Sequence, residues 1–247
     1  MSDVMNMNPC QEYKVCVRSG ASWRDYSRIR LRISVGKPYH EGAKLQAVVD
    51  WINKNPNITE VQVCVSDFLQ RHNLIAYGED EERASYMALL AGTSWMERNE
   101  SILSGLQPKW SFTRWADWFG TDEFHEIHVA ILRLEADDPA FKEKLNLDAS
   151  SLARRKKLRD ELIPKDLVQH SYKFVTEELA VFAMQSRHFP AAEVCPGTSL
   201  DAVKYLYGKN LPEILIPLKT RYIVRINFER RYLASAPSDR AFTAHIS

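Results

Sequence analysis

The 247-residue sequence is poor in the features that announce common functions. It has only four cysteines, Cys10, Cys16, Cys64 and Cys195, with no C-x-x-C pair among them. That spacing argues against a structural zinc site or a disulfide framework and fits a reducing, cytoplasmic setting. Glycine is scarce too, at 9 residues, and no G-x-G-x-x-G turn occurs, which argues against dinucleotide chemistry. Gly36-Lys37 resembles the end of a phosphate loop, but Pro38 stands where a magnesium-holding Ser or Thr would be, and no glycine lies five residues earlier. Neither charge dominates: Lys plus Arg number 33 against 32 Asp plus Glu, so any nucleic-acid surface must be local. No apolar run is long enough to span a bilayer, and Met1–Gln11 lacks the basic start and apolar stretch of a signal peptide. The expectation is a cytoplasmic protein without membrane attachment.

What is present is an alternation of strands and helices. Tyr13–Arg18, Arg28–Val35 and Ile58–Val65 read as strands of period two. Short strands are expected at Trp110–Phe112 and Glu193–Cys195, and a last one at Tyr222–Phe228. Helical spacing occupies Glu41–Asn53, a long segment after Gly78, and Asp122–Leu134. It continues through a basic Ser150–Leu162, Leu167–Met184 and Ser199–Tyr207. This order predicts an α/β fold, a Rossmann-like, mostly parallel sheet with helices on both faces. No linker interrupts it, so a single domain over 1–247 is expected, with 1–12 and 234–247 as flexible ends.

The strand Ile29-Arg30-Leu31-Arg32-Ile33-Ser34 runs into Val35-Gly36, which sets Ser34 at a strand's carboxyl end, where α/β folds do their chemistry. Arg30 and Arg32 share the face of Ser34. Strands inside parallel sheets are normally apolar on both faces, so these arginines imply an edge strand or a polar cavity. His125 and His128 miss the H-E-x-x-H spacing and read as helix-surface histidines, and Trp110, Trp115 and Trp118 as packing. Arg154-Arg155-Lys156-Lys157 is the densest positive run, either a solvated helix end or a phosphate-contacting patch. Glu177 and Glu178 interrupt an otherwise apolar helix, and Glu178 shares a face with Phe174. Such a pair is either solvent-facing or a grip for a substrate amine.

Taken in order, several segments resemble the tRNA-dependent cyclodipeptide synthases over roughly Arg28 to Phe228. They are Ser34-Val35-Gly36 with Tyr39-His40-Glu41-Gly42, then Val65-Ser66-Asp67-Phe68-Leu69, Glu177-Glu178-Leu179 and Glu193-Val194-Cys195-Pro196-Gly197. Pro196 makes the likeness greater to the branch with a tyrosine-proline signature. The resemblance implies a fold similar to tyrosyl- and tryptophanyl-tRNA synthetase catalytic domains, without ATP motifs, cofactor or metal. It implies two aminoacyl-tRNAs as substrates and no protein partner. It also implies catalysis by Ser34 as nucleophile with Glu178 holding the substrate ammonium. Gly36, Lys37, Tyr39, Val65, Phe174, Glu177, Cys195 and Pro196 would then line the substrate site, and Arg154, Arg155, Lys156 and Lys157 would contact tRNA.

Three positions depart from that pattern. Phe174 and Cys195 stand where tyrosines are expected, which bears on proton transfer rather than on acylation. Arg32 stands where a small residue is usual, and its guanidinium is expected to favour an acidic substrate side chain or a terminal phosphate of tRNA. The competing readings are a catalytically silent, synthetase-like module that binds tRNA or aminoacyl-tRNA, and an unrelated serine hydrolase. The hydrolase fares poorly because no G-x-S-x-G elbow surrounds Ser34.

Overall fold

The structure is a computed structural model that describes residues 12–18, 21–157, 164, 166–196 and 199–230. The expected flexible ends lie almost entirely outside these residues. Among the described residues six strands form one sheet: β1 (Tyr13–Val17), β2 (Arg28–Ser34), β3 (Glu60–Ser66), β4 (Lys109–Arg114), β5 (Ala192–Cys195) and β6 (Tyr222–Arg230). Their order is β1-β6-β5-β2-β3-β4. All neighbours are parallel except β1 and β6, which pair antiparallel at one edge. The parallel part thus extends from β2 first through β3 to β4, then from β2's other side through β5 to β6. The direction of growth reverses between β2 and β5. In open α/β sheets, such a switch point opens a crevice at the carboxyl ends of the strands, and ligands bind there.

Among the described residues eight α-helices connect these strands: α1 (Gly42–Asn53), α2 (Arg71–Ala76), α3 (Glu81–Leu103), α4 (Ala116–Phe119), α5 (Asp122–Asp137), α6 (Pro139–Lys157), α7 (Leu167–His188) and α8 (Asp201–Leu206). The boundaries follow capping chemistry. Asp80 accepts from the Arg83 N–H at 2.9 Å and Thr121 from the Phe124 N–H at 3.2 Å, so α3 and α5 start there. The basic segment expected to begin at Ser150 is the end of a helix that starts at Pro139.

The two faces of the sheet differ in kind. Ile29, Leu31, Ile33, Val61, Val63, Val65, Ala192, Val194, Val224 and Ile226 point to one side and pack on α1 and α3 through Leu45, Val49, Ile52, Trp95 and Leu103. This is the main apolar core. The opposite face carries Arg30, Arg32 and Ser34 on β2, Gln62, Cys64 and Ser66 on β3, and Glu193 and Cys195 on β5, as the register requires. Over it lies a second apolar layer, in which α7 packs with α5, α6 and α8 around Phe141, Leu145, Leu179, Phe182 and Leu206. Trp115 belongs to this layer and is 1% exposed, so the packing role expected for it is what the fold uses. β2 lies between β5 and β3, so its arginines mark a polar interior and not an edge.

Candidate active site

Ser34 occupies the carboxyl end of β2, on the switch-point side of the sheet. The strand stops there because Ser34-Val35-Gly36-Lys37 forms a turn, closed by the Lys37 N–H donating to the Ser34 carbonyl at 3.2 Å. Gly36 adopts φ +76, the left-handed conformation that a type II turn demands at its third residue. The turn leads through Pro38–His40, a single 3-10 turn, into α1. It brings His40 back beneath the serine: the Ser34 N–H donates to His40 Nδ1 at 2.7 Å. The ring is itself fixed, since the Trp95 indole N–H donates to the His40 carbonyl at 3.0 Å and Tyr39 packs edge-on at 4.5 Å.

Burial pushes the His40 imidazole down to about 3, and the positive charges of Arg32 and Lys37 add to the effect. His40 is therefore neutral at physiological pH, with Nδ1 spent on the Ser34 backbone. It positions the turn and does not take a proton from the serine hydroxyl. A stability effect follows. Because the folded pKa lies below the unfolded value near 6.5, the unfolded chain binds the extra proton between roughly pH 3 and 6.5. His40's contribution is complete above that window and is lost as pH falls through it. The slope reaches at most about 1.4 kcal/mol per pH unit. Denaturant midpoints measured from pH 7 to pH 4 should fall less steeply in His40→Gln than in the wild type. Parallel curves would overturn the assignment.

Beside Ser34 the polar face holds a nearly dry ion network. The Glu193 carboxylate accepts from Arg221 Nη2 at 2.7 and 2.6 Å and lies 3.5 Å from both Arg30 and Arg32. The side chains of Arg30, Arg221 and Glu193 are each 1% exposed. Burial opposes ionisation of Glu193, but Arg221, Arg32 and Arg30 outweigh it and hold the group down to about 2. Arg30 donates to the carbonyls of Gln185 and Phe189 at the end of α7. The Phe182 ring meets two guanidinium groups, with Arg221 at 3.6 Å and Arg32 at 5.0 Å from its centroid.

Arg32 Nη1 lies 3.7 Å from Glu178 Oε1 and Nη2 donates to Cys195 Sγ at 2.8 Å. Burial works against its charge, yet Cys195, Glu193 and Glu178 raise its pKa further. The guanidinium expected to favour an acidic side chain or a terminal phosphate meets the protein's own Cys195, Glu193 and Glu178. Glu178 reaches the same cluster from α7. Its carboxyl is raised, first by burial, while Arg32 and Arg221 pull it back. The adjacent Glu177 points elsewhere, accepting from Arg71 at 2.9 and 2.8 Å and pairing with His72 at 2.7 Å. Neither glutamate is a solvent-facing residue.

The remaining expected site residues divide. Gly36, Lys37 and Tyr39 lie in the turn after Ser34, Cys195 and Pro196 end β5, and Phe174 is a buried residue one helical turn before Glu178. Val65 does not belong with them. It pairs with Ile33, one residue out of phase with the Ser34–Ser66 pair, and its side chain sits in the α1/α3 core on the other face. Tyr172, two residues before Phe174 on the same helix, has its pKa raised by burial and by Glu135 of α5, so it faces that helix. Arg154 and Arg155 are exposed near the end of α6, Lys156 is half-buried, and the Lys157 side chain lies outside the described residues. His128, expected on a helix surface, is half-buried with Nε2 3.3 Å from the Thr176 hydroxyl. Among the described residues no group of His, Cys, Asp and Glu has the arrangement of a metal site. No described helix is long and apolar enough to cross a membrane. A groove of about 650 Å³ between α5 and Pro212–Ile214 contains none of the site residues.

Sequence reasoning missed Glu193, Arg221, His40 and Ser66 as members of this site. Glu193 carried a usable signal, a charged residue in an otherwise apolar strand segment. Arg221 carried none.

No family model and no curated protein matches the sequence. Solved structures do. A cyclodipeptide synthase from Fluoribacter dumoffii superposes with a TM-score of 0.79 at 21% identity, covering 89% of this chain and 99% of that one. The chain has the fold of the cyclodipeptide synthases. The synthase from Candidatus Glomeribacter gigasporarum, whose structure holds Phe-tRNAPhe, matches at 20% identity with a TM-score of 0.61, covering 88% of this chain and 93% of that one. A Mycobacterium tuberculosis protein whose structure relates cyclodipeptide synthetases to type I tRNA synthetases matches at 13% identity and a TM-score of 0.61, covering 91% and 96%. The expected synthetase-like α/β fold is therefore present.

Proposed function

We propose that this protein is a tRNA-dependent cyclodipeptide synthase that works through an aminoacyl ester on Ser34, in the branch marked by proline at Pro196. The observation that carries the reading is a serine at the switch-point end of β2 whose adjoining imidazole, His40, is spent on the serine's backbone and is not its general base. That ring is neutral and engaged by the Ser34 backbone N–H. A serine so placed suits an acyl donor that arrives already activated, and an aminoacyl-tRNA ester is one.

In the first step the Ser34 Oγ–carbonyl bond forms and the ester bond to the tRNA ribose breaks. The serine proton ends on the departing ribose oxygen, so the exchange of one ester for another needs no ATP, cofactor or metal. The amine of the bound residue then attacks the ester of a second aminoacyl-tRNA. The terminal amine of the resulting dipeptidyl ester closes the ring and frees Ser34. Each attack requires an amine that is first held and then neutral. Glu178 suits both requirements, because its charge pairs with an ammonium and its burial-raised carboxyl accepts a proton more readily than an exposed one.

The test is expression in bacteria with mass spectrometry of the medium for diketopiperazines, alongside intact-mass detection of an aminoacyl adduct mapped to the Ser34 peptide. Product together with that adduct is the expected result. A protein that binds tRNA but yields neither would be the silent module. The α6 patch is tested separately. Reversing charge at Arg154 and Arg155 should raise the apparent KM for charged tRNA about tenfold with little change in kcat, because phosphate contacts act on binding. Unchanged kinetics would make the patch a solvated surface.

A further inference from the structure

Ser66 is the direct partner of Ser34 in the parallel register of β2 and β3. Both end their strands, and both point to the polar face. Partners on adjacent strands stand about 4.8 Å apart, so the two hydroxyls rise side by side into the same crevice. Ser66 is only 3% exposed, and its Oγ has no hydrogen-bond partner among the described residues. Buried hydroxyls are almost always satisfied, so an orphan at the end of a central strand points to a partner that comes and goes.

Two backbone donors beside it are already engaged. The Ser34 N–H is held by His40 Nδ1, and the Phe68 N–H is held by Asp67 Oδ1 at 2.7 Å. Asp67 is in turn fixed by Arg114 at 2.6 Å, on the α3 side of the sheet. When Ser34 attacks an ester, the carbonyl oxygen becomes an anion beside these strand ends and needs a donor. The main-chain N–H of the nucleophile, a common source of that donor, is already committed here.

We propose that the Ser66 hydroxyl supplies it, donating to the oxyanion of the tetrahedral intermediates formed on Ser34. This rests on the reading of Ser34 as the acylated nucleophile. In each intermediate the carbonyl π pair moves onto oxygen and is received by the Ser66 O–H. It returns as the ribose oxygen leaves during acylation, or as Ser34 Oγ leaves during ring closure. Ser66 keeps its proton throughout. The near-dry setting strengthens such a bond, and the strand holds its donor in place before the reaction begins.

The test is single-turnover acylation by total aminoacylated tRNA, followed by quenched intact-mass spectrometry, with tRNA affinity measured in parallel. Ser66→Ala should slow the appearance of the Ser34 adduct by about 10²–10³-fold at unchanged tRNA affinity. Ser66→Thr, which keeps a hydroxyl, should retain most of the rate. Ser66→Cys nearly preserves volume but is a weak donor, and should resemble Ser66→Ala. It also serves as the decisive variant if alanine disturbs folding. Acylation at the wild-type rate in Ser66→Ala or Ser66→Cys would overturn the proposal, as would a loss explained wholly by tRNA affinity. Should the wild type give no Ser34 adduct, the Ser34 reading itself falls, and the Ser66 role with it. The two failures are thereby told apart.

Discussion

Ser34→Ala is expected to abolish the aminoacyl adduct and to lower diketopiperazine formation by roughly 10³-fold or more, with folding and tRNA affinity intact. The side chain is half-exposed and no hydrogen bond of its Oγ contributes to the turn, which is closed by backbone groups. Removing the hydroxyl therefore deletes the chemistry without deleting an anchor. Ser34→Cys separates this account from a base-assisted one. A thiolate needs no neighbouring base, so the cysteine variant should still be acylated, though its thioester is a different leaving group for ring closure. The pH profile gives a second separation. A histidine acting as base would impose an inflection near its pKa, but His40 is held near 3 by burial. Wild type and His40→Gln should then show profiles of the same shape between pH 6 and 8, differing in height because the turn loses its support. An inflection that vanishes in His40→Gln would make the imidazole a base. Residual product from Ser34→Ala above that limit would place the acyl group elsewhere.

Much of this site could be read from period and spacing, because strand alternation is a local property. The six residues from Ile29 to Ser34 were enough to put Arg30, Arg32 and Ser34 on one face, and the glycine two residues later was enough to end the strand. Parity also contained what went wrong. Val61, Val63 and Val65 form one apolar row that belongs to the helix-covered core, so Ser66 is the residue of that strand that faces the site. Choosing Val65 meant following a resemblance in order along the chain where the alternation pointed one residue further. The ion network was illegible for a different reason. Glu193 and Arg221 are 28 residues apart and meet only because β5 and β6 are neighbours. That adjacency, like the antiparallel docking of β1 on β6, is decided by the packing of whole elements and by no local pattern. Arg32 shows the limit from the other side. Its direction was legible, but whether a substrate acid or the protein's own Glu178 and Cys195 would meet it depends on α7 and β5.

Glu193→Gln should be the most destabilising single exchange in the site, costing about 3–5 kcal/mol, the range found when one partner of a buried ion pair is removed. A native domain has only about 5–15 kcal/mol in hand, so the melting temperature should fall by roughly 10 °C for a chain of this size. The size of the effect comes from what the carboxylate faces. Arg30 and Arg221 are 1% exposed at the side chain and cannot recover hydration when the charge opposite them disappears. The amide keeps the shape and one acceptor, so a large loss would report charge and not volume. Adding Arg221→Met should restore part of the stability, because it removes a cation that no longer has a partner, and the recovery measures their coupling. pH gives an independent check. Glu193's folded pKa lies near 2, below the ordinary carboxylate value of 4.5. Its contribution is therefore complete above about pH 4.5 and is lost as pH falls toward 2. Wild type and Glu193→Gln should converge in stability across that acid window while differing fully at neutral pH. A constant gap at all pH values would mean that the loss came from packing. A gap at neutral pH below about 1 kcal/mol would mean that the arginines find other acceptors, and that Glu193 does not hold the floor on which Arg32 and Glu178 stand.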